Sequence, residues 1–129
     1  MEKIEEVYVV LENKPGVAGE MTRILKKKKI SVYAIAMFID FARMYVSHPR
    51  EAVDAFHANG YQAEIREALR ETLPNRPGLL MELTQKLGNA GINIEYLYGA
   101  MLEKQKQGLV ILEVDQPNLA LDIFRNHTY

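Results

Sequence analysis

The sequence predicts an α+β protein built as two tandem copies of one βαββαβ unit, residues 1–66 and 67–129. Three observations carry that expectation: a corner that is written twice, a second block repeated at a longer spacing, and patterning that gives both halves the same element order. Residues 11–16 read LENKPG and residues 73–78 read LPNRPG. Setting residues 11–32 against 73–94 gives identity at Leu11/Leu73, Asn13/Asn75, Pro15/Pro77, Gly16/Gly78, Glu20/Glu82, Thr22/Thr84, Leu25/Leu87 and Ile30/Ile92. Background composition would give roughly one or two such matches. PREAVDAFHANGY (49–61) matches PNLALDIFRNHTY (117–129) at Pro, Ala, Asp, Phe and Tyr, now with a separation of 68 instead of 62. The difference calls for an insertion in the second copy, and LEKQKQG (102–108), polar and ending in glycine between two apolar runs, reads as that hairpin loop. A match at such a long period marks a duplicated unit.

The elements follow in order. Ile4 to Leu11 is rich in strand formers, and the stretch Gly16 to Lys28 places Val17, Met21, Ile24 and Leu25 at helical spacing. Residues 30–39 and 42–47 are β-branched and aromatic, Pro49 opens a second helix carrying Ala52, Val53 and Phe56, and Gly60 ends it before YQAEI. The second copy has a strand near 67–73, a helix with Leu79, Leu80, Leu83, Leu87 and Ala90 on one face, strands at 92–101 and 108–114, and a helix from Pro117. YQAEIREALRETL runs from the first copy into the second without Pro or Gly, so no linker is expected. Split βαβ units of this order are ferredoxin-like: each forms an antiparallel sheet with its helices on one face. Tyr129 aligns with Tyr61, where the closing strand of the first copy begins, so the second unit lacks its last strand. That place is expected to stay empty or to receive a strand from another subunit.

Composition excludes several functions. Sixteen basic against seventeen acidic residues give a net charge of -1, which removes the electrostatic footprint of a nucleic acid binder. The four lysines at 26–29 close a helix, where cations complement the negative end of its dipole. Without cysteine there are no disulfides, thiolate nucleophiles or cysteine-held metals. No leader and no apolar run of about eighteen residues is present, so a cytoplasmic protein with no membrane partner is expected. His48, His57 and His127 stand apart from any ligand at zinc spacing and read as lone surface side chains, so no metal or cofactor is expected. No nucleophile elbow, P-loop or dinucleotide motif occurs and no acid–base carboxylate pair is evident, so no catalytic residue is assigned.

The repeated Asn-(Lys/Arg)-Pro-Gly corner has a structural reading, in which asparagine caps the helix, proline sits in its first turn and glycine supplies permissive backbone. It also has a functional one. Free N–H groups at a helix start attract a carboxylate, and an asparagine amide can meet both the ammonium and the carboxylate of an amino acid. The corner followed by a helix and then GINIEYLYG (91–99) resembles the ACT domain, the βαββαβ module that senses amino acids, and nearly the whole chain is similar to stand-alone tandem ACT proteins. The fit is close over LPNRPGLLMELTQKLGNAGINIEYLYG and weaker in the first unit, where Ser31 stands in place of Asn93.

The resemblance implies a non-catalytic, allosteric sensor that binds a free amino acid between ACT units and regulates amino-acid metabolism. It implies ligand contacts at Asn75, Arg76, Gly78, Leu79, Leu80, Asn93 and Ile94. In the first unit the matching positions are Asn13, Lys14, Gly16, Val17, Ala18, Ser31 and Val32. An alternative is a docking regulatory subunit of an amino-acid biosynthetic enzyme, without a ligand of its own. Oligomerisation has separate support: in strand 30–39 both alternating sets, Ile30, Val32, Ala34, Ala36 and Phe38 against Tyr33, Ile35, Met37 and Ile39, are apolar. Both faces are therefore expected to be covered, either by the two units burying each other or by a second chain, and the ACT resemblance favours a homodimer.

Overall fold

A computed structural model describes all 129 residues. The chain orders its elements as β1 (Glu2–Val10), α1 (Val17–Lys27), β2 (Val32–Met37), β3 (Phe41–Val46), α2 (Pro49–Ala58), β4 (Ala63–Pro74), α3 (Leu79–Asn89), β5 (Ile94–Ala100), β6 (Gln107–Val114) and α4 (Pro117–Phe124). Two compact units result: residues 5–67, the N-terminal unit, and residues 68–129 together with 1–4, the C-terminal unit.

In the N-terminal unit the strand order is β2-β3-β1-β4. The β2–β3 and β1–β3 pairs are antiparallel, with Ile35 opposite Met44 and Val7 opposite Met44 in the two ladders. Alternation sorts the side chains: Val7, Val9, Ala42, Met44 and Val46 turn to the helices and are buried. They meet Met21, Ile24 and Leu25 of α1 and Ala52 and Phe56 of α2. Fully burying residues of this size contributes about 1.5–3 kcal/mol each, which is what fixes the two helices on one face.

The C-terminal unit repeats the plan. β4, β6 and β5 lie side by side with antiparallel pairs, and Leu69, Leu73, Val110 and Leu112 pack against Leu79, Leu83 and Leu87 of α3 and Phe124 of α4. Leu80 and Ala90, expected on the apolar face of α3, are exposed. At 100° per residue Leu80 falls beside the stripe of Leu79, Leu83 and Leu87, and Ala90 is the C-cap residue, where the helix has already ended.

No strand follows α4, yet the closing place is neither empty nor filled by another subunit, and that expectation is corrected. β1 neighbours β4, and its first residues belong to this unit. The Met1 ammonium lies 3.2 Å from Glu71 Oε1, and Arg70 Nη1 lies 2.9 Å from Glu2 Oε1. In the N-terminal unit the Val10 N–H donates to Gln62 O at 2.9 Å. The physical reason is an open edge: within this unit β4 pairs with β6 on one side, and residues 1–4 lie against the other.

Candidate functional site

The repeated corner is built alike in both units, and not as expected. Gly16 and Gly78 hold the N-cap positions of α1 and α3 at φ 89° and 91°, and neither helix has a side-chain cap. This left-handed backbone is open to glycine and costly for other residues. Asparagine as the cap, and proline in the first helical turn, are therefore corrected.

Asn75 has other work. Its Nδ2 donates to Leu102 O at 2.9 Å and to Gln105 O at 2.8 Å, while its backbone N–H donates to Lys106 O at 2.9 Å. It ties down the β5–β6 loop, the insertion that the first unit lacks. Two carbonyls saturate the amide donors, which removes them from the helix start.

Beside this corner the C-terminal unit holds a cavity of about 260 Å³. The corner and helix contribute Arg76, Gly78, Leu79 and Leu80. Strand β5 and its exit contribute Leu97, Gly99, Ala100 and Met101, and β6 contributes Val110. Four of the implied ligand residues thus converge. Arg76 is exposed, and its guanidinium makes no hydrogen bond or ion pair. Asn93 and Ile94 are not brought to the cavity: Asn93 precedes β5 and Ile94 opens it, whereas the β5 residues that line the cavity begin at Leu97, three residues or about 10 Å along the strand. The backbone of Asn93 is clasped by Asp115, Oδ1 accepting from its N–H at 2.9 Å.

Sequence reasoning missed Leu97, Gly99, Met101 and Val110. Gly99 carried a signal, because glycine inside a strand marks close backbone approach. A Cβ there would stand 2.4 Å from Leu109 O. The matching position in the N-terminal unit is Met37, since Gly99 pairs with Val110 where Met37 pairs with Ala42.

In the N-terminal unit, Lys14 and Val17 border a different cavity of about 330 Å³, with Glu12, Glu20 and Tyr61 among its walls. Burial and the Glu20 carboxylate raise the Tyr61 pKa above the ordinary phenol value. Lys14 Nζ is engaged by Glu12 Oε2 at 3.1 Å. Gly16 caps α1, Val17 is buried, and Asn13, Ala18, Ser31 and Val32 are exposed away from that cavity. The Ser31 N–H donates to Ser47 Oγ at 2.9 Å, the counterpart of the Asn93–Asp115 clasp.

His48 and His57 are exposed and His127 is half-buried, and each has a polar neighbour. His57 Nε2 lies 2.7 Å from Ala63 O, and His48 Nδ1 lies 2.9 Å from Ser47 Oγ. Lys86 Nζ donates to His127 Nδ1 at 2.8 Å. His127 Nε2 lies 3.3 Å from Glu82 Oε1 without a hydrogen bond to it. No helix is long and apolar enough to cross a membrane.

Two ferredoxin-like units that each carry a glycine-capped corner define a tandem small-domain protein. The chain belongs to the ACT domain pair family, whose profile matches residues 2–128. Among solved structures it is similar to a protein from Bacteroides thetaiotaomicron, 28% identical with a TM-score of 0.86, covering 95% of this chain and 87% of that one. It shares its fold with the ligand-free regulatory subunit of aspartate kinase from Thermus thermophilus, 18% identical with a TM-score of 0.71, covering 97% and 96%. The regulatory subunit of aspartate kinase from Thermus flavus is similar too, at 18% identity and a TM-score of 0.68, covering 96% and 94%. No curated protein sequence matches the chain.

Proposed function

We propose that this protein is a non-catalytic, cytoplasmic sensor that binds a free amino acid at its C-terminal unit and regulates amino-acid metabolism. The cavity beside the Asn75–Leu80 corner carries the reading, because it joins an unpaired cation to an apolar wall. At about 260 Å³ it lies just below the roughly 300–1,000 Å³ of drug-sized sites, the scale of a small metabolite. Arg76, Gly78, Leu79 and Leu80 would contact the ligand, and Asn93 and Ile94 would be supplied by an ACT unit of a second copy. The N-terminal set, Asn13, Lys14, Gly16, Val17, Ala18, Ser31 and Val32, is the weaker site. There Lys14 is already engaged by Glu12, and Met37 stands where the second unit has Gly99.

A ligand acts as a signal only by favouring one state of the protein over another. The exposed apolar side chains of the edge strand β2 and its exit, Val32, Tyr33, Ile35, Met37, Phe38 and Ile39, support a homodimer as the responding assembly. The same edge supports a second reading, a docking subunit of an amino-acid biosynthetic enzyme that needs no ligand. Thermal unfolding in the presence of each common amino acid separates them. A ligand at a hundred times its Kd stabilises by about 2.7 kcal/mol, a readily measured rise in Tm. Folded protein that responds to none of them refutes the sensor.

A further inference from the structure

Resting on the sensor reading, we infer that the C-terminal cavity selects an amino acid with an apolar side chain, held by its carboxylate at Arg76. Leu80, Leu97, Met101 and Val110 form walls with no hydrogen-bonding side-chain group. A hydroxyl, amide or charged side chain entering there would lose its water and gain no partner, a cost that disfavours polar amino acids. The opposite end differs. Arg76 is the one charged side chain on the cavity, and it has no hydrogen bond or ion pair to give up when a carboxylate arrives. Its planar fork suits a carboxylate better than any other group an amino acid offers.

Leu80 is 45% exposed at the rim, so an apolar ligand would cover it as well as the inner wall. Nothing on the lining offers a carboxylate for the ε-ammonium of a basic side chain, so lysine and arginine are rejected by the same walls that admit leucine, methionine or norvaline.

Calorimetric titration of the full chain with alanine, 2-aminobutyrate, norvaline and norleucine measures the wall directly. Each added methylene should tighten binding about fourfold until the cavity is full. Arg76→Gln should weaken norvaline about ten- to a hundredfold. Leu80→Glu, at an exposed position that leaves the core intact, should have a similar effect by placing a carboxylate on the same cavity as Arg76. Binding of serine, aspartate or lysine at least as tight as norvaline, or an affinity flat along the series, overturns the selectivity and leaves the sensor standing. If no amino acid of any class binds folded protein, the sensor reading itself is lost. An Arg76→Gln variant that binds norvaline as tightly as the parent overturns the assignment of the carboxylate.

Discussion

Replacing Tyr129 by phenylalanine removes one oxygen from the C-terminal unit and takes one hydrogen-bond donor from a buried carboxylate, which keeps the Met1 ammonium 3.2 Å away. Glu71 occupies a core-facing position of β4, the place that Val9 fills in the other unit, and is only 8% exposed. The Tyr129 hydroxyl donates to Glu71 Oε2 at 2.7 Å. Hydrogen bonds to charged groups contribute about 1.5–3 kcal/mol, and partial exposure of the ring lowers this to about 1–2 kcal/mol. The phenyl ring would keep its edge-on contact with His127, at 4.5 Å between centroids, so packing is conserved and only the bond is lost.

For a chain of 129 residues that loss lowers Tm by roughly 4–8 °C. A second signature lies in pH. Burial, then the bond to Glu71, raise the Tyr129 pKa above the ordinary phenol value. A raised folded-state pKa means that the unfolded chain releases this proton first. The stabilisation is therefore complete below about pH 10 and falls as pH climbs beyond it. Each such proton steepens the alkaline loss by about 1.4 kcal/mol per pH unit, and Tyr129→Phe removes one of them. Urea unfolding followed by circular dichroism at pH 7 and between pH 9.5 and 11 measures both effects. Parent and variant with equal stability at pH 7, or parallel alkaline slopes, would refute the role given to this hydroxyl.

Other substitutions test the remaining parts. Leu83→Ala, at a fully buried position of α3, should cost about 2–5 kcal/mol, whereas Leu80→Ala should stay within about 0.5 kcal/mol in chemical denaturation. Asn75→Ala removes both amide bonds to the β5–β6 loop, and trypsin should then cut after Lys104 or Lys106 several times faster in limited proteolysis. Arg43→Met takes from the fully buried Glu6 a guanidinium 3.2 Å away and should cost about 3 kcal/mol in the same unfolding assay. Lys29 holds φ 57° where the second unit has Gly91, so Lys29→Gly should raise stability by up to about 1 kcal/mol, read as a higher urea midpoint.

Much of the fold was legible because its signals are local. Val17, Met21, Ile24 and Leu25 repeat at the period of a helix, and all four are buried on α1. Pro49 and Pro117 open α2 and α4 where an amide donor is not needed. The candidate site was legible only in its corner. Arg76, Gly78, Leu79 and Leu80 are contiguous in the chain, while Leu97, Met101 and Val110 reach them only once β5 and β6 have paired.

By itself the sequence determined that one unit is written twice and which elements each copy forms. Period, composition and punctuation act within a few residues and do not depend on the rest of the chain. The tertiary structure alone decided that residues 1–4 stand beside β4, that Asn75 serves a loop 27 to 30 residues away instead of a helix, and that a cavity opens at the corner. Those outcomes rest on competition among distant partners for the same donors and the same strand edge, and which partner prevails is settled only when the whole unit has packed.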